Sequence, residues 1–187
     1  MTLSVYSAFA IVIGRRNVGE GDKILTLYTK QFGKKRVIAK GVRKISSRRA
    51  PHLELFSEGK ITLHRGKSLD IVTDAESVCL YGNMSTTLEQ VAMLYFVAEV
   101  IDKMTPENDP HEEVYYLLSH TLRAITEMKK ETAQVFLTDF CDRLLGILGF
   151  REMQFRSRDF RFAVASIESV VERNLRTVKL LERSGII

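Results

Sequence analysis

The sequence predicts an α+β, two-domain protein, with a small β-barrel over residues 1–80 and an all-α helical bundle over residues 81–187. Three observations predict it. Up to about residue 80 the apolar residues come in short β-prone runs, some alternating with polar residues, broken by glycine. From Thr86 onward they recur at three- and four-residue spacing. The charge divides at the same place: residues 1–82 hold 15 Lys and Arg against 7 Asp and Glu, while residues 83–187 hold 13 against 16.

The first strand is the continuous run Phe9 to Ile13, broken by Gly14 and the polar Arg15-Arg16-Asn17. Ile24 to Thr29 supplies a second. Arg36 to Val42 supplies a third, entered through Gly33 and interrupted at Gly41. Ile61 and Leu63 alternate with Lys60, Thr62 and His64, and the pattern resumes at Leu69 and Ile71 after a turn at Arg65-Gly66-Lys67-Ser68. About five strands fit, the count of a small Greek-key barrel of the OB type.

In the second region Thr86 and Glu89 form a capping box ahead of Leu88, Val91, Leu94, Tyr95, Ala98 and Ile101, and Pro106 ends that helix. A second helix opens with Asp109 as cap, Pro110 in the first position and Glu112-Glu113 in the first turn, where acids suit the exposed amides. Its stripe is Val114, Leu117, Leu118, Thr121, Leu122 and Ile125. A third helix spans about Thr132 to Leu148, with Val135, Phe136, Phe140, Leu144, Leu145 and Leu148 inward and Gly149 as C-terminal cap. A last helix begins near Ser166 and carries Ile167, Val170, Val171, Leu175, Val178 and Leu181. Arg151 to Arg161 is a basic, aromatic-bearing connector without a period. These stripes are read as bundle core.

The balance of 45% apolar and 27% charged residues, with few prolines, excludes a disordered or collagenous chain. No run reaches the roughly 18 apolar residues of a membrane span, and no basic segment precedes the apolar start as in a secretory signal. A cytoplasmic location without membrane contact is expected. Cys79 and Cys141 are too few for a disulfide framework or a four-sulfur zinc site, and no metal or cofactor is expected.

Catalytic patterns fail on spacing. Gly66-Lys67-Ser68 ends like a phosphate-binding loop, but Ile61 stands where its first glycine belongs, and the triplet falls in a hairpin turn. Gly19-Glu20-Gly21 starts a dinucleotide fingerprint whose third glycine is replaced by Ile24. The four histidines show no metal-binding spacing, and there is no nucleophile elbow. The chain is therefore read as a binding protein and not as an enzyme.

What remains is charge. From Lys30 to Leu53 there are nine basic residues and no acid. A solvated face normally mixes both signs, so a run of one sign suits a polyanion, nucleic acid first and an acidic membrane surface second, with a solubilising loop as the alternative. Phosphate contacts need density and sign more than exact spacing. The candidate DNA-binding residues are Arg15, Arg16, Lys34, Lys35, Arg36, Lys40, Arg43, Lys44, Arg48 and Arg49. Lys34, Arg36 and Lys40 share one parity on the predicted strand. Tyr28 and Phe32, near strand ends, are the candidates for stacking on unpaired bases; Tyr6, Phe9 and Phe56 are read as core.

The stretch Gly14-Arg15-Arg16-Asn17-Val18-Gly19-Glu20-Gly21-Asp22-Lys23-Ile24-Leu25-Thr26-Leu27-Tyr28-Thr29 resembles the start of the RecO recombination mediators. Phe32-Gly33-Lys34, Ala39-Lys40-Gly41-Val42-Arg43, the Arg48-Arg49 pair and Arg65 to Glu76 continue the likeness in order, and Leu148-Gly149-Phe150 extends it more loosely. The sequence departs from the family at one point. Many members insert a four-cysteine zinc module after that Leu-Gly-aromatic end, and Arg151 to Ala165 holds no cysteine. The resemblance implies an OB-fold domain joined to a helical domain. It further implies binding of single- and double-stranded DNA, strand annealing, and cooperation with RecR and the single-strand-binding protein so that RecA can load. Two other readings stay open: a helical protein-interaction adaptor, and an RNA-binding OB module.

Overall fold

A computed structural model describes residues 4–82 and 86–187. Five strands, β1 (Val5–Val18), β2 (Asp22–Thr29), β3 (Gly33–Ala39), β4 (Ser57–His64) and β5 (Asp70–Leu80), close into a barrel in the order β1-β2-β3-β5-β4. All pairings are antiparallel except β3 with β5, which meet in parallel at Val37↔Asp70 and Ile38↔Ile71. This is the Greek-key order of an OB-type barrel.

β1 serves two neighbours. Its first half pairs with β4 (Val5↔His64 to Ile11↔Glu58) and its second with β2 (Ala10↔Thr29 to Val18↔Asp22), with a register shift between Val12 and Gly14. A bulge bends a strand and raises its twist, which lets one strand turn the corner of a small barrel. The strand therefore continues through Gly14-Arg15-Arg16-Asn17, where composition alone suggested a stop. β3 ends earlier than expected, at Ala39, so Lys40 opens the connector to β4. The core is Ala10, Val12, Leu25, Leu27, Val37, Ala39, Ile61, Leu63, Val72 and Ala75, with Val42 and Leu53 from the connector buried among them. Each fully buried Val, Leu or Ile side chain contributes on the order of 1.5–3 kcal/mol.

The chain forms two compact units. The barrel unit is Met1–Gly82 together with Thr105–Tyr115, a segment that the sequence places among the helices. Asn108 N–H donates to the Lys34 carbonyl at 2.8 Å, and Tyr115 Oη donates to Glu58 Oε1 at 2.8 Å. Gly33 (φ 65°) makes the approach possible, because a Cβ there would overlap the Asp109 carbonyl oxygen and stand 2.5 Å from its carbon.

The second unit is Asn83–Met104 with Tyr116–Ile187. Its helices are α1 (Leu88–Met104), the body of α2 (Glu112–Glu127), α3 (Ala133–Ile147), α4 (Phe160–Val171) and α5 (Val178–Arg183). α1 buries Met93, Leu94, Phe96, Val97, Val100 and Ile101, nearly its whole circumference, as a central helix does. Its capping box is Thr87/Gln90, one residue beyond the predicted pair: Thr87 N–H donates to Gln90 Oε1 (2.9 Å), and Gln90 N–H to Thr87 Oγ1 (3.3 Å). Val135 is exposed, and α3 buries Leu137 and Cys141 together with the expected Phe140, Leu144 and Leu145.

The expected last helix is two helices. α4 starts earlier, capped by Asp159, whose side chain accepts from Phe162 N–H at 2.8 Å, and stops where Glu172 turns left-handed (φ 53°). α5 then starts against Glu99 of α1, which accepts from the Arg176 and Thr177 amides at 3.1 and 2.8 Å. The aperiodic connector is organised by Asp142, buried on α3, which receives Ser157 N–H at 2.7 Å and pairs with Arg151 at 3.4 Å. No described helix is long and apolar enough to cross a membrane.

Candidate nucleic-acid interface

Cross-strand register assembles the first part of the site. Arg15 pairs with Leu25 and Asn17 with Lys23, so Arg15, Asn17 and Lys23 carry the barrel's inward parity past its end. There they face the β3–β4 connector. Gly41 N–H donates to Asp22 Oδ1 (2.7 Å), Arg43 N–H to the Gly21 carbonyl (2.9 Å) and Arg43 Nη1 to the Gly19 carbonyl (3.1 Å), which docks the connector on the β1–β2 turn. The result is an open groove of about 620 Å³ lined by Arg15, Asn17, Lys23, Val42, Arg43, Lys44, Ile45 and Ala50. Glu54 beside the groove accepts from Arg15 and, at 3.3 Å, from Lys23. Ile45 stands fully exposed on the groove wall.

The ten sequence-predicted cations do not form one track. Arg15, Arg43 and Lys44 line the groove, and exposed Lys40 and Arg48 belong to the same connector. Arg16 pairs with Ile24 and faces the opposite side of the sheet. Arg49 is structural: its guanidinium donates to the carbonyls of Val72 and of Lys40 (2.8 Å) and so fastens the connector. Lys34, Lys35 and Arg36 lie at the other end of β3, where the run from Lys34 to Lys40 covers roughly 20 Å at strand rise. Arg36 Nε sits 2.5 Å from Glu107, and Lys35 bonds Asn108 Oδ1 at 2.8 Å with Asp70 at 3.6 Å. Lys30 pairs with Glu112 at 3.2 Å.

The aromatic expectation also changes. Tyr28 is wholly buried, its hydroxyl 3.4 Å from the His111 carbonyl, and burial together with Asp109 pushes its phenol upward in pKa. It cannot stack on a base. Phe32 is partly exposed but packs edge-on against Tyr6, with centroids 5.0 Å apart and Arg65 over the Tyr6 ring at 5.2 Å. Phe9, read as core, is exposed on β1. Burial pushes the Tyr6 phenol up, as does its bond to Asp70. Burial alone would raise Asp70 as well, but the Tyr6 hydroxyl, the Gly66 amide and Lys35 outweigh it and hold that carboxyl below its ordinary range.

Lys23, Asn17 and Ile45 were missed by sequence reasoning. The signal for Lys23 was present: in a hairpin turning at Gly19-Glu20-Gly21, residues 17 and 23 face one another. Among the described residues no cluster of three or more His, Cys, Asp or Glu side chains offers a metal-binding set.

Comparison with known proteins agrees with this architecture. Residues 1–81 match the family model "Recombination protein O N terminal", and residues 85–152 match "Recombination protein O C terminal". A protein named DNA repair protein RecO from Pelotomaculum thermopropionicum is 37% identical over 123 residues, covering 66% of this chain and 48% of the relative. Its namesake from a Roseiflexus species is 34% identical over 147 residues (79% and 51%), and that of Desulfitobacterium hafniense is 33% identical over 149 residues (80% and 54%). The chain spans about half the length of these curated relatives. Two adjoining family models and a five-strand barrel followed by helices converge on one conclusion: the chain belongs to the recombination protein O (RecO) family.

Proposed function

We propose that this chain acts in DNA repair and recombination by binding the phosphate backbone of single- and double-stranded DNA at the groove end of its barrel. The observation that carries the reading is the convergence of Arg15, Lys23, Arg43 and Lys44, from two strands and a connector, on one open groove, where the single carboxylate of Glu54 is shared by Arg15 and Lys23. Cations brought together by folding neutralise adjacent phosphates without base contacts, so binding carries little sequence preference. Two complementary strands whose repulsion is reduced in this way can anneal. Base pairing supplies the free energy, and no catalytic group is required. The family likeness extends the proposal to cooperation with RecR and the single-strand-binding protein, and through them to RecA loading.

Fluorescence anisotropy on a labelled single-stranded oligonucleotide across a salt series tests the electrostatic core. If about four phosphates are engaged, log affinity falls against log salt with a slope of roughly −3. The double reversal Arg43→Glu and Lys44→Glu flattens that slope and slows annealing of complementary oligonucleotides. A slope near zero, or a reversed protein that binds and anneals like the parent, overturns the reading.

A further inference from the structure

The segment Thr105–Tyr115 brings acids onto the basic strand. Asn108 N–H holds the Lys34 carbonyl at 2.8 Å, and Lys34 and Glu107 form an isolated parallel bridge, so the segment lies along the start of β3 like a short extra strand. That placement sets Glu107 2.5 Å from Arg36 and Glu112 3.2 Å from Lys30, while Lys35 is taken by Asn108 and Asp70. Residues 30–36 hold four of the nine basic residues between Lys30 and Leu53, and three of these, Lys30, Lys35 and Arg36, are already answered by acids or an amide of the same unit.

We propose that Glu107 and Glu112 are internal competitors of nucleic-acid phosphate: they occupy the β3 end of the basic surface, weaken DNA binding, and confine the strand to the groove end. The inference rests on the DNA-binding reading above. The backbone of the segment need not move for it. Asp109 is seated against Gly33, and His111 accepts from Tyr28. The Glu107 and Glu112 side chains, however, are 37% and 59% exposed and can swing off their partners as a phosphate arrives. An exposed pair of this kind is weak enough to be exchanged and strong enough to be felt.

The experiment uses the full chain, a single-stranded oligonucleotide and anisotropy over a salt series. Glu107→Gln and Glu112→Gln each keep the side-chain shape and remove the charge. Each is expected to tighten binding about 2- to 5-fold at low salt, the range that an exposed ion pair represents. Each is also expected to steepen the salt slope by about 0.7 when a further phosphate is engaged. Unchanged or weaker binding by both variants, at unchanged slope, overturns the proposal. Arg43→Glu in the same assay separates the two readings. If it weakens binding while the Gln variants do nothing, only the competitor role fails; if it too has no effect, the groove assignment fails.

Discussion

Replacing Gly33 with alanine tests how the Thr105–Tyr115 segment is joined to the barrel. Two costs can be worked from the structure. The first is conformational: at φ 65° an L-residue pays about 1–2 kcal/mol. The second is steric, since the new Cβ overlaps the Asp109 carbonyl and would stand 3.0 Å from Pro110 N. Backbone cannot yield there as a side-chain tip would, so the segment must shift and its Asn108–Lys34 hydrogen bond is lost, a further ~0.5–1.5 kcal/mol. The total is about 1.5–3.5 kcal/mol. Gly19→Ala is the control, because it has the same sign of φ (56°) and nothing within 4 Å of the new Cβ, so it carries the first cost alone. Urea unfolding followed by circular dichroism measures both variants, and hydrogen exchange at β3 amides localises the loss. If Gly33→Ala falls within about 0.5 kcal/mol of Gly19→Ala, the close approach of the segment to β3 is wrong.

Three further outcomes are expected. Leu27→Ala empties a wholly buried site in the barrel core and should cost about 2–5 kcal/mol by chemical denaturation. Asp70, held below its ordinary value of 3.8, contributes stability that is present above that value and lost as pH falls through its lower folded value; Asp70→Asn should therefore be less stable at neutral pH and show a weaker fall in melting temperature on acidification below about pH 4. Asp159→Ala removes the cap of α4 and should cost about 1 kcal/mol, with hydrogen exchange accelerated first at the Phe162 amide.

Much of the fold was legible because its signals are local. Short β-prone runs between glycines marked the strands, and three-four spacing with Gly149 marked the first three helices, although α2 begins at Glu112 and not at the expected Asp109 cap, because Asp109 pairs with His111 and its carbonyl is seated against Gly33. Local signals failed where a distant partner decides. Gly14-Arg15-Arg16-Asn17 looks like a strand end, but ladder pairing with β2 carries β1 through it. The final helical pattern hides a break at Glu172, since apolar spacing cannot show a left-handed residue whose following turn is held by Glu99 of α1.

The sequence by itself determined that this protein has a basic β-barrel half and a helical half, because strand and helix periodicity and one-sign charge are properties of neighbours along the chain. Only the tertiary structure decided which cations act together. Barrel closure brings Arg15 and Lys23 beside Arg43 and Lys44 across the hairpin and connector, a relation set by register. The same folding lays a segment from beyond α1 against β3, burying Tyr28 and setting Glu107 on Arg36. Charges cancel or add by distance in space, and that distance exists only once the barrel has closed.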